Sequence, residues 1–207
     1  MKQKTVKDSL KKIWWFVWED NSPASWVVNI LLAFVIIKYG VYPGLGFLLG
    51  TGYPVVAVMS GSMEHRMQFD DWWQEKCCSD EVCSSRHEQG ELYTQYGIDK
   101  EKFLTFSFPN GFNKGDIMVL VGPKNLRLGD ILVFAAPLQS EPIIHRIISE
   151  DGNFRTKGDN NCRIIAFEES IAPKQALGKA VLRIPFLGWI KIVFVELLGV
   201  LGLAGVA

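Results

Sequence analysis

The sequence has no excess of charge, since 22 Lys and Arg stand against 22 Asp and Glu. No basic stripe interleaved with aromatics runs through it, which argues against nucleic acid as a partner. Histidine is scarce, with three in 207 residues, so an imidazole base has few candidates. Cysteine is scarce too. Cys77, Cys78, Cys83 and Cys162 lack the paired C-x-x-C spacing of a structural zinc site, even with His65 and His87 nearby. No metal is expected, and one or two disulfides are, with a pairing that the spacing does not assign. Helical periodicity is also missing: outside the two ends no such period holds over a dozen residues.

What the chain has in quantity is apolar residues, 48% of the total, with seven Trp. They gather at the ends. Residues 24–41 are nearly all apolar, broken by Asn29 and by Lys38, whose long stem can carry its charge to an interface. Trp14, Trp15, Trp18 and Trp26 precede or open this run, as an aromatic belt would. Upstream, Lys2, Lys4, Lys7, Lys11 and Lys12 face one acid, Asp8. The positive-inside rule then keeps residues 1–23 cytoplasmic, makes 24–52 the anchor region in the cell membrane, and places the following domain on the extracytoplasmic side. No small-x-small site cleanly follows the run, which argues against a cleaved leader of the chain's own. Residues 186–207 form a second apolar segment, interrupted by Lys191 and Glu196. It is expected as a C-terminal membrane segment, with a membrane-surface helix as the alternative.

Between the ends, residues 53–185 alternate short apolar runs with turns. The runs are 54–59, 116–121, 130–135, 142–148, 153–157 and 176–184, each of strand length and rich in Val and Ile. A mainly β, partly closed sheet domain is expected. A polar stretch, 66–113, holds three of the cysteines and looks inserted. Its Asp-Asp-Trp-Trp (70–73) admits two readings, a lipid-interface anchor or packing against the domain. Gly-Asp opens two of the runs, and Asp116 and Asp130 are expected as turn residues rather than chemical ones.

Two features point to chemistry. In the run Pro-Ile-Ile-His-Arg-Ile-Ile, strand alternation puts His145 on one face with Ile143 and Ile147, and Arg146 on the other. Asp151-Gly152 then signals a hairpin. A two-residue loop sets His145 opposite Gly158, and a three-residue loop sets it opposite Asp159. Either register brings the Asp159 carboxylate near the imidazole. The second feature is Ser60-Gly61-Ser62 at the end of the first run. A serine hydroxyl becomes a nucleophile when an adjacent base takes its proton and a third group fixes that base's tautomer. Ser62, His145 and Asp159 are candidates for these parts. The Ser60 hydroxyl and the Ser62 backbone N–H are candidate oxyanion donors.

The ordered motifs "SGSM" (60–63), "GDILVF" (129–134), "IIHRII" (143–148) and "TKGDNN" (156–161), after an N-terminal anchor, resemble the type I signal peptidases of the archaeal and endoplasmic-reticulum branch. The trailing "GKAVLRIPFLGWIKI" (178–192) is similar too. The resemblance implies coiled β-sheets, a serine endopeptidase that removes signal peptides at small-x-small sites, Ser62 as nucleophile, His145 as base and Ser60 as oxyanion donor. It implies no metal or organic cofactor, and as partners signal-peptide-bearing precursors, membrane lipid and the export machinery. Two positions depart from the family pattern. His65 stands where Pro is usual. Ile165 stands where relatives carry a further Asp, leaving Asp159 to serve alone or Glu168 to substitute. A rival reading is an anchored, disulfide-stapled β-domain that binds partners without catalysis. A self-cleaving Ser–Lys protease lacks its Lys in the His145 strand.

Overall fold

The computed structural model describes residues 6–77, 87–137 and 139–200, the side chains of 198–200 excepted. It falls into two units divided at Leu48. In the first, a helix at Val6–Trp18 is followed by a long helix, Pro23–Leu49. Ser22 caps the long helix by accepting from the Ser25 N–H, and Pro23 occupies its first turn, where a missing N–H costs nothing. Ser25 Oγ donates to the Phe16 carbonyl and Asn29 Nδ2 to that of Val17, so the polar breaks in the apolar run tie the two helices together. At 1.5 Å per residue, 27 residues span about 40 Å, more than a bilayer core of about 30 Å. Among the described residues this is the one helix long and apolar enough to cross a membrane.

Among its described residues the second unit carries eight strands: β1 (Val55–Ala57), β2 (Lys76–Cys77), β3 (His87–Glu88), β4 (Ile117–Val121), β5 (Ile131–Phe134), β6 (Ile143–Ser149), β7 (Arg155–Lys157) and β8 (Ala176–Ile184). Six form one antiparallel sheet in the order β1-β4-β8-β5-β6-β7, and β2 pairs with β3 alone. Register shifts between Val119 and Leu120, between Val133 and Phe134, and between Ile147 and Ser149 help curl the sheet into a half-barrel. Gly115 (φ 89°) and Gly129 (φ 87°) make the turns into β4 and β5. The aspartates after them close those turns as expected: Asp116 accepts from the Asn113 N–H and Asp130 from the Arg127 N–H.

Val58, Met63, Phe112, Met118, Leu120, Ile131 and Val133 fill the curl. A second cluster belongs to residues 66–113, where Trp72, Tyr93, Ile98 and Phe103 are buried together with Ile148 of β6. Trp72 and Trp73 therefore pack against the domain rather than face solvent. The polar composition of this stretch hides an aromatic core of its own. Cys77 is joined to Cys162, just beyond β7. Cys78 and Cys83 lie outside the described residues.

The expected C-terminal membrane segment, 186–207, is described only in part: residues 189–200 form a helix, Trp189–Val200, and residues 201–207 lie outside the described residues.

Candidate active site

The Ser60–Ser62 turn follows β1, and two other segments, the turn at Asn160 and residues 112–114, hold it. Asn160 N–H donates to the Ser62 carbonyl (2.8 Å) and Asn160 Nδ2 to the Gly61 carbonyl (3.1 Å). Phe112 N–H donates to the Met63 carbonyl (3.0 Å), while the Met63 side chain sits in the core. The Glu64 carboxylate accepts from the Lys114 N–H. Ser62 is thus fixed by bonds reaching across the sheet.

β6 delivers the base. His145 pairs with Leu132 of β5 and is 5% exposed. Its Nε2 lies 2.8 Å from Ser62 Oγ. Its Nδ1 lies 2.5 Å from Oε1 of Glu168, which is fully buried. The carboxylate also accepts from Thr156 Oγ1 (3.3 Å) and the Ile165 N–H (3.0 Å). A carboxylate in such a bond takes the Nδ1 proton's hydrogen bond, which leaves Nε2 to accept from the serine. Ser60 Oγ stands 3.2 Å from Ser62 Oγ. The structure brings Ser60, Ser62 and His145 together.

Asp159 is not the residue at His145, and the register gives the reason. Arg146 pairs with Lys157 and Ile147 with Thr156, the register of a two-residue loop, with the shift confined to the turn side of the hairpin. Paired residues share a face. Thr156 therefore lies on the His145 face, while Lys157 and, two residues on, Asp159 lie on the Arg146 face. Glu168 reaches the His145 face because the chain folds back, Phe154 bridging Ile171. The chemical alternative named from the motif, Glu168 in place of Asp159, is the arrangement found.

Asp159 instead anchors the opposite face. Arg146 Nε and Nη2 grip its two oxygens at 2.9 and 2.7 Å, and the remaining guanidinium N–H groups go to the carbonyls of Ser107, Gly129 and Phe108. Tyr93 OH donates to Asp159 Oδ1 (2.7 Å). His65 Nε2 lies 3.1 Å from Oδ2, its ring stacked on Trp72 at 3.6 Å. Burial alone would push the Asp159 carboxyl up; the Arg146 charge and the bonds from His65 and Arg146 overcome this and hold it well below the usual carboxylate range. Burial, with Asp159 alongside, pushes the Tyr93 phenol well above its usual value, so it remains a donor. His65 is thus a buried partner of Asp159 as well as a change in the loop.

Gly158 also belongs to the site, with little in the sequence to mark it as such. A Cβ there would lie 2.8 Å from His145 Nε2 and 2.9 Å from the Ser62 carbonyl. The only signal was its place before Asp159, opposite His145 in the two-residue register. Among the described residues no cluster of three His, Cys, Asp or Glu is placed to hold a metal ion.

No family model matches the chain. It is similar to fungal proteins, each a signal peptidase complex catalytic subunit SEC11. The one from Candida tropicalis is 32% identical over 120 residues, covering 50% of this chain and 72% of its own length. That of Lodderomyces elongisporus is 31% identical, covering 49% and 72%. That of Fusarium vanettenii is 28% identical, covering 48% and 70%. With this likeness across more than two thirds of such relatives, the chain belongs to the signal peptidase family of the SEC11 catalytic subunits.

Proposed function

We propose that the chain is a membrane-bound serine endopeptidase that removes N-terminal signal peptides from exported precursors. The observation that carries this reading is the hydrogen-bonded series Ser62 Oγ, His145 Nε2, His145 Nδ1, Glu168. His145 takes the Ser62 proton as Oγ attacks the scissile carbonyl, and Glu168 holds the imidazole in the required tautomer and stabilises its charge. The oxyanion of the tetrahedral intermediate is met by the Ser62 N–H and the Ser60 hydroxyl. His145 then returns the proton to the leaving amine. Water hydrolyses the acyl-enzyme by the same route, without metal or organic cofactor. Small residues at −1 and −3 of the cleavage site are the expected specificity.

The helix Pro23–Leu49 anchors this enzyme in the cell membrane, with residues 1–23 cytoplasmic and residues 53–185 the extracytoplasmic catalytic domain. The short tether from that helix to Ser62 keeps the site within reach of the membrane surface, where precursors leave the export machinery. Ser62→Ala in the detergent-solubilised chain should lose precursor cleavage by more than about 10⁴-fold, and lose labelling by a serine-acylating probe, at unchanged thermal stability. Normal turnover by Ser62→Ala would sink the proposal and favour a binding domain without catalysis.

A further inference from the structure

Lys157 ends β7, one residue before the glycine that meets His145. It is 1% exposed, and the Ser62–His145–Glu168 series does not use it. Its Nζ donates to Gln89 Oε1 (3.0 Å), the Gly158 carbonyl (3.1 Å) and the Asp159 carbonyl (3.2 Å). An ammonium has three donors and no acceptor, whereas a neutral amine has two donors. All three partners are acceptors, so only the ammonium satisfies the set. The two carbonyls belong to the residues just before Asn160, whose amide and side chain hold the Ser62 and Gly61 carbonyls. Gly158 itself sits against His145 Nε2 and the Ser62 carbonyl. Any slackening of this turn moves both nucleophile and base.

We propose that Lys157 is a positioning residue for the peptidase reaction: its ammonium clamps the Gly158–Asp159 backbone to Gln89 of the 66–113 segment and so fixes the turn that holds the Ser62 loop. The proposal rests on the serine–histidine reading above. It also gives the inserted segment a part in the site, through Gln89 and through Tyr93, whose ring lies 4.7 Å from the same Nζ.

The charge of the clamp is poised. Beyond Gln89 and Tyr93, the groups facing Lys157 are Asp159 in the next turn, Arg146 on β6 and Glu168 from the returning segment. Arg163 and Glu169 line the adjoining cavity. Burial lowers Lys157, Asp159 and Glu168 pull it up, Arg146 lowers it again, and the balance is about 7. Raising the pH through neutrality therefore removes the third donor and loosens the turn. Activity should show an alkaline limb set by Lys157.

The test measures kcat and KM of the detergent-solubilised full chain on a precursor substrate, between about pH 6 and 9, with probe labelling of Ser62 in parallel. Lys157→Met should lower kcat about tenfold or more near neutrality, keep KM within about twofold, and lack the alkaline limb. Gln89→Glu sets a carboxylate against the ammonium and should move the limb to higher pH. A Lys157→Met enzyme with wild-type kcat and limb overturns the clamp. So does a Gln89→Glu limb that stays in place, which decides the matter if Lys157→Met fails to fold. Should Ser62→Ala be inactive and unlabelled while both limbs ignore these changes, the clamp alone fails. If Ser62→Ala cleaves normally, the serine reading fails first.

Discussion

His145 and Arg146 are neighbours on β6, and each meets a buried carboxylate on its own face of the sheet. Glu168 bonds an imidazole that faces the Ser62 hydroxyl. Asp159 bonds a guanidinium whose every N–H is consumed within the fold. The first carboxylate has a partner that gives and takes a proton. The second has a partner that never releases one. Two acids equally hidden from water thus differ: in the proposed reaction Glu168 orients the base, while Asp159 closes a structural ion pair. What separates them is the one-residue step along β6 from His145 to Arg146, which turns the side chain to the opposite face.

The contrast should break most visibly at Arg146. Arg146→Met leaves Asp159 buried with its main counter-charge gone, and loss of one partner of a buried pair costs about 3–5 kcal/mol. Chemical denaturation of the detergent-solubilised chain should show that loss. Arg146→Met with Asp159→Leu should recover much of it, because no orphaned charge remains. A single Arg146→Met chain as stable as wild type would mean that the pair does not hold this face together.

A smaller effect sharpens the same contrast by pH. The folded Asp159 carboxyl lies below its unfolded value of about 3.9, so the stability it contributes is fully present above that value. It is lost progressively as the pH falls toward the folded value. The stability gap between wild type and Asp159→Asn, followed by thermal unfolding from neutral pH down to about pH 3, should therefore narrow on acidification. A gap that stays constant or widens would place the stabilising charge elsewhere.

Much of the sheet was legible because strand signals are local. The run at 176–184 matches β8 in both ends, four other runs contain the strand found there, and the run at 142–148 stops one residue short of the end of β6. The long apolar helix Pro23–Leu49 was legible for the same reason, since hydropathy and length are local too. Strand order was not legible: β8 lies between β4 and β5, an insertion that no neighbouring residue signals. Nor was the aromatic core of residues 66–113. Trp72, Tyr93 and Phe103 are spread among charged residues, and they become interior by packing on one another and on Ile148 once the chain has folded. Ser60, Ser62 and His145 stood out because a turn of two serines and a lone histidine in an apolar strand break local expectation. Glu168 did not, because its place depends on the Phe154–Ile171 bridge, a contact made only once the chain has folded back.

In the proposed reaction Glu168, and not Asp159, orients the imidazole. The direct measurement is precursor cleavage by Glu168→Gln and Asp159→Asn, at a temperature where both are fully folded and with KM and kcat separated. The account predicts that Glu168→Gln loses kcat by about 10²–10⁴-fold, as a chain whose imidazole is left in the wrong tautomer. Asp159→Asn should lose stability first and retain most of kcat while folded. The opposite pattern, with Asp159→Asn catalytically dead in the folded state and Glu168→Gln near wild type, would contradict the account.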